Sequence, residues 1–138
     1  CVNETKRTVR MRTRWPAERH VLADVRQVLR RWLRERGVAE RDAYDVVVAA
    51  GEACANAIEH AYRPGRHSFE VRAAERDGLV RIEVRDRGRW RAARGANRGR
   101  GLPIMRALMD AVTVEDAEEG TRVVLERDLA GALRLPPG

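Results

Sequence analysis

Aromatic residues make up only 4% of this 138-residue chain, so its core must be built from aliphatic side chains. Lysine is nearly missing: Lys6 stands alone beside 27 arginines. No apolar run approaches the roughly 20 residues that a membrane-spanning helix needs, and no secretory leader opens the sequence. The two cysteines, Cys1 and Cys54, are too few for a disulfide framework. Cys54 stands among alanines, as a small buried residue does. Repeats, low-complexity tracts and internal linkers are also lacking. These absences exclude disulfide-stapled, membrane-spanning and repeat architectures. They leave one domain over residues 1–138, long enough to bury its own core and expected in the cytoplasm. The chain opens on Cys1 rather than Met and reads as a fragment or a processed form of a larger signalling protein, so the missing leader carries little weight.

Charge is abundant. Charged residues reach 36%, the net charge is +7 and the pI is about 10.8. Such a balance raises nucleic acid as a partner. The arginines, however, are spread over every segment and interleaved with Asp and Glu, without a clustered reading element. They read as a solvated surface with no direct nucleic-acid partner.

Residues 8–15, TVRMRTRW, alternate: Val9, Met11, Thr13 and Trp15 on one side, Arg10, Arg12 and Arg14 on the other. That is a half-buried strand. Pro16 is expected to open a helix, where its missing N–H is harmless. Val21, Leu22, Val25, Val28, Leu29, Trp32 and Leu33 then form one helical stripe, and Gly37 ends it. A second helix is expected from Glu40 to Tyr62, stopped by Arg63-Pro64-Gly65. Two strands follow, with Phe69, Val71 and Ala73, then Val80, Ile82 and Val84, on one face. The Asp77-Gly78 pair between them marks a hairpin. Residues 87–100, rich in glycine and arginine, read as a loop. A short helix from Leu102, with Ile104, Met105, Leu108 and Met109 inward, and two strands, 111–116 and 121–128, complete the pattern. The order is β-α-α-β-β-loop-α-β-β. It predicts a two-layer α+β sandwich, a mixed but mostly antiparallel sheet covered on one face by about three helices.

The second helix carries polar groups that a core-crossing helix does not need. Glu52 and Asn56 share a face at i and i+4, with Asp45 and Glu59 near that line. Ala49, Gly51, Ala53, Ala55 and Ala57 surround it, and small neighbours allow a bulky ligand to approach. Three further segments join this line: Asp86-Arg87-Gly88 at the end of a strand, Gly99-Arg100-Gly101 entering a helix, and Gly120-Thr121 opening the last strand. Glycines at a helix entry expose backbone N–H groups, and a helix N-terminus attracts phosphate.

In this order and spacing the segments resemble the nucleotide-binding boxes of the GHKL (gyrase, Hsp90, histidine kinase, MutL) ATPases, the Bergerat fold. Over residues 14–127, and above all in EACANAIEHAY and GLPIMRALMD, the chain looks most like the anti-sigma-factor serine/threonine kinases. Modules of this kind also occur fused to phosphatase domains in actinobacteria. The resemblance implies ATP and Mg²⁺ as cofactors. It implies Glu52 as the general base and Asn56 as the residue that holds Mg²⁺ against the phosphates. It implies Asp86 as acceptor of the adenine amino group, Gly88 as the residue that lets the base sit close, and Thr121 as support for that site. Gly99, Arg100, Gly101 and Leu102 would form the phosphate turn, with His60 close enough in sequence to assist. A glutamate suits a hydroxyl acceptor, and one asparagine suffices for a metal that keeps several waters. The partners implied are an anti-sigma-factor antagonist, which is phosphorylated, and a sigma factor. The resemblance also allows a homodimer, since such proteins often pair through the sheet. Two departures stand out: Trp90 where a further glycine is usual, and a short stretch between Asp86 and Gly99. They keep open a non-catalytic ATP-binding module attached to a phosphatase or sensor domain, and a histidine-kinase catalytic domain.

Overall fold

Asp77 and Gly78 both take positive φ, 51° and 85°, which is what a two-residue hairpin turn matched to strand twist demands. The turn sets the register of the two strands it joins, Glu75 opposite Val80 and Ala73 opposite Ile82. This computed structural model describes residues 8–60, 67–87, 98–117 and 120–129, leaving aside the side chains of residues 60, 98–100 and 117. The elements are β1 (Val9–Pro16), α1 (Val21–Glu35), α2 (Glu40–His60), β2 (Ser68–Arg76), β3 (Leu79–Asp86), α3 (Arg98–Leu108), β4 (Ala111–Ala117) and β5 (Gly120–Asp128).

The expected two-layer α+β sandwich is present, with one five-stranded sheet in the order β1-β2-β3-β5-β4. The sheet is not mixed: every ladder is antiparallel. The reason is topological. β3 and β4 run in the same direction, and β5, returning through a tight connection, lies between them and opposes both.

Pro16 does not open a helix. It is the last residue of β1, paired with Ser68, and α1 begins at Val21. A proline at a strand end forfeits no ladder bond that its neighbours need. α1 buries Val21, Val25, Leu29, Trp32 and Leu33, while Leu22 and Val28 at the stripe's margins are half-buried. Each full aliphatic burial contributes about 1.5–3 kcal/mol. The helix stops as its sequence suggests. Gly37 takes φ 78°, its N–H donates to the Arg34 carbonyl, and the Val38 N–H donates to Leu33. This is a Schellman closure, with buried Leu33 and Val38 as its apolar pair.

The alternating strands turn Phe69, Val71, Ala73, Val80, Ile82, Val84, Val123 and Leu125 toward the helices. α2 lies across the middle of this layer, touching α1, α3 and the three central strands. That explains its small residues. Ala49, Ala53 and Ala57 are almost fully buried, and Gly51 lies under Arg26 of α1, whose Nε would be 2.9 Å from a Cβ there. The small residues let protein, rather than ligand, come close. α3 begins at Arg98 instead of Leu102, so Gly99 and Gly101 lie inside its first turn.

Arg127, on the helix side of β5, ties the layers together. Its Nη2 meets Asp42 at 2.9 Å and Asp45 at 3.1 Å, and its Nη1 donates to the Leu108 carbonyl at the end of α3. Asp45 is thus a structural acid. On the opposite, helix-free face, arginines and glutamates interlock across all five strands. Arg12 meets Glu70 at 2.7 Å, Arg72 meets Glu70 at 2.6 Å, Arg85 and Arg122 meet Glu83 at 2.6 and 2.8 Å, and Arg122 meets Glu115 at 3.3 Å. Burial alone would raise the Glu70 carboxyl, but hydrogen bonds from Arg72 and Arg12, with their charges, hold it below its ordinary value.

Candidate functional site

The polar line of α2 faces α3. Glu52 is half-buried, and Asn56, one turn on, is only 9% exposed. The amide Nδ2 of Asn56 is buried and has no hydrogen-bond partner among the described residues. Burying an unmet donor costs about 1–3 kcal/mol, so such a group calls for a functional account. Gly101 sits directly against it: a Cβ there would lie 3.2 Å from Asn56 Nδ2, 3.7 Å from Asn56 Oδ1 and 3.7 Å from Glu52 Oε2. Even a methyl group at 101 would crowd the space between the α3 entry and the two polar side chains.

A second group forms at the strand ends. Asp86, the last residue of β3, is directly opposite Thr121 on β5 and Phe69 on β2. Thr121 is 2% exposed, and its hydroxyl donates to Asp116 at 3.4 Å. Gly120 before it takes φ 145°, where side chains are strained. A Cβ there would fall 2.0 Å from the Asp86 carbonyl oxygen and 2.8 Å from the Arg87 Cα. Only glycine lets β5 start this close to the end of β3. An open cleft of about 450 Å³ is lined by Asp86, Gly120 and Thr121 together with Ser68, Phe69 and Arg87. It also extends onto the charged outer face at Arg14, Arg85 and Arg122.

The structure therefore gathers Glu52, Asn56 and Gly101 at the α2–α3 contact, and Asp86 and Thr121 at the strand ends. Gly99 and Arg100 belong to the first turn of α3. Leu102 is half-buried against the core, and His60 is the last residue of α2. Gly88 and Trp90 lie outside the described residues. Glu59 is half-buried and engaged with a partner. Sequence reasoning names Gly120 as part of the Gly-Thr turn but gives it no role of its own. The Gly-Thr pair opening a strand was its signal, but the closeness to Asp86 that makes it obligatory is a long-range contact. Cys54, on the other side of α2, is no nucleophile: burial pushes its thiol up to about 12, only partly opposed by the charge of Arg26.

Asn56 fits a metal-bound polyphosphate. It offers an unmet, water-excluded amide beside a glycine entry to a helix, and an amide oxygen is a hard ligand of the kind magnesium takes. Among the described residues no three His, Cys, Asp or Glu side chains gather as a metal cage, so the remaining ligands would be phosphate oxygens and water. Asp86 opposite a buried threonine fits a base carrying an amino group.

A two-layer sandwich with a carboxylate at a strand end and a Glu/Asn pair facing a glycine-rich helix entry defines a nucleotide-binding domain of the Bergerat type. Residues 15–127 match the family described as the histidine kinase-like ATPase domain, and the chain belongs to it. It is similar to the structure of the RsbU and RsbW domains of Rv1364c from Mycobacterium tuberculosis, at 32% identity and TM-score 0.73. That match covers 88% of this chain and 32% of the other, so this chain spans about a third of that protein's length. The fold is shared with SiaB of the SiaB–SiaC complex from Pseudomonas aeruginosa (13% identity, TM-score 0.65, 91% and 92% covered). It is shared too with the histidine kinase domain of the blue-light activated kinase of Erythrobacter litoralis EL346 (19%, 0.58, 80% and 60%). Among the described residues no helix is long and apolar enough to cross a membrane.

Proposed function

We propose that this chain is an ATP-dependent protein serine/threonine kinase of the anti-sigma-factor type, which phosphorylates an antagonist protein and binds a sigma factor. The observation that carries the reading is the meeting of Glu52 and Asn56 with Gly101 at the entry of α3. A base and a metal-holding amide then stand one helical turn apart, beside N–H groups that suit phosphate. The 32% identity to a structure containing an RsbW domain supports the same class.

In this reading Asp86 accepts a hydrogen bond from the adenine amino group, and Thr121 shapes the pocket floor. Asn56 would hold Mg²⁺, which would supply charge neutralisation at the phosphate oxygens. Glu52 takes the proton of the acceptor serine as its oxygen bonds to the γ-phosphorus and the bond to ADP breaks. The backbone of Gly99–Gly101 steadies the phosphates, and Arg100 and His60 lie close enough in sequence to assist.

The test is phosphotransfer from labelled ATP to candidate antagonist proteins, comparing wild type with Glu52→Gln and Asp86→Asn. Glu52→Gln should keep ATP affinity and lose transfer by about 10²-fold or more. Asp86→Asn should lose affinity. Transfer that survives Glu52→Gln removes it as the base. A second reading, a non-catalytic ATP-binding module serving an attached domain, draws on the match to one third of a multidomain chain. Wild-type ATP binding with no transfer to any antagonist would favour it.

A further inference from the structure

The outer face of the sheet is not uniformly neutralised. Toward the β3–β5 centre each arginine has its glutamate. Nearer the Asp77-Gly78 turn, beyond the Arg12–Glu70–Arg72 cluster of β1 and β2, the pairing stops. Arg10, Arg76 and Arg81 have no ion pair or hydrogen bond to any described residue. Register places Arg10 and Arg81 on either side of Ala74, with their backbones about 10 Å apart. Arg76 follows two residues on, on the same face. Ala74 leaves the middle low, and the result is a groove of about 480 Å³ whose lining includes five arginines, Glu83 and the apolar Met11, Ala73 and Leu79. Leu79, 40% exposed, forms its apolar rim. No described element lies over it.

We infer that this groove docks an acidic segment of a partner protein. Three unpaired guanidinium groups around a small residue form a receptor for spaced carboxylates, and Leu79 supplies one apolar contact. The alternatives fit less well. A continuous phosphate backbone would run onto Glu70 and Glu83, and the strand residues of this face include no aromatic side chain on which a base stacks. A second copy brought up on a two-fold axis through Ala74 would set the same cations against one another. The chain's own ends do not complement it: residues 130–138 carry Arg134 and no acid, and residues 1–7 carry Lys6 and Arg7 against Glu4. The inference stands apart from the nucleotide site, which uses the other face of the sheet and the strand ends.

The experiment measures fluorescence anisotropy of a labelled glutamate-rich peptide on the full chain. Its comparisons are Arg10→Glu/Arg81→Glu and a control of equal charge on exposed α1 residues, Arg30→Glu/Arg31→Glu. Arg10→Gln/Arg81→Gln serves as a milder pair in case charge reversal disturbs folding. The groove variants should bind the peptide about tenfold more weakly, the α1 control should change by less than about twofold, and ATP affinity should be the same in all. Equal loss in groove and control variants would mean non-specific attraction and overturn the docking site. A labelled oligodeoxythymidine that outcompetes the peptide, and is lost in the same groove variants, would overturn the protein partner in favour of nucleic acid. Sedimentation showing a dimer that the groove variants dissolve would overturn it in favour of self-association.

Discussion

Asn56→Ala should make the nucleotide-free protein more stable and at the same time remove metal-dependent ATP binding. Asn56 is 9% exposed and its Nδ2 has no partner among the described residues. That unmet donor costs about 1–3 kcal/mol. Alanine in the middle of α2 adds roughly 0.5 kcal/mol of helix propensity over asparagine. Against these stands the lost packing of the amide on the Gly101 backbone, about 1 kcal/mol. The balance is a gain of about 0.5–2.5 kcal/mol, a rise of a few degrees in Tm. Urea denaturation without nucleotide reads the first half, and calorimetric titration with ATP, with and without Mg²⁺, reads the second. A variant that unfolds more easily than wild type would show that the amide is satisfied in solution. A variant that binds Mg²⁺-ATP unchanged would remove Asn56 from the site.

Gly120→Ala should lower stability by about 3 kcal/mol or more, combining backbone strain with a clash against Asp86, and should weaken ATP binding. Gly37→Ala has positive φ but open space around it, so it should cost only about 1–2 kcal/mol and leave ATP affinity unchanged; equal denaturation midpoints for the two would refute the close approach of β5 to Asp86. Arg127→Met should cost about 2–3 kcal/mol, because it leaves Asp42 and Asp45 facing one another without a cation, and Asp42→Asn in that background should recover part of the loss. Glu70 is held below its ordinary value of 4.5. Its stabilisation is therefore present above that value and lost as pH falls through the lower folded value. Glu70→Gln should flatten the fall in stability as pH drops below 4.5, and an unchanged acid profile would show that the Arg12–Glu70–Arg72 cluster contributes nothing.

The parts of this fold that sequence reasoning reaches are those governed by neighbours along the chain. Alternation located β2 and β3, the Asp77-Gly78 pair located their turn, and the 3.6-residue stripe located α1 together with its glycine stop. Pro16 misled because proline suits a helix start and a strand end equally well, and only the pairing with Ser68 decides between them. The alanines of α2 misled because small residues serve a close ligand and a close helix alike. The outer arginines read as a solvated surface because their partners are remote, Arg12 from Glu70 by 58 residues and Arg122 from Glu83 by 39. The candidate site is legible in its residue types, but the intimacy of Gly101 with Asn56, and of Gly120 with Asp86, comes only from the packing of separate elements.

The position of β5 bears on how the chain is made. Among the described strands it is the last in sequence, yet it lies between β3 and β4, both synthesised earlier. Until residues 120–128 have left the ribosome, β3 and β4 each present an unpaired edge, the state most exposed to wrong pairing. Asp86 also lacks Thr121 until then. Closing the sheet between β3 and β4 and bringing Thr121 opposite Asp86 are therefore one and the same event.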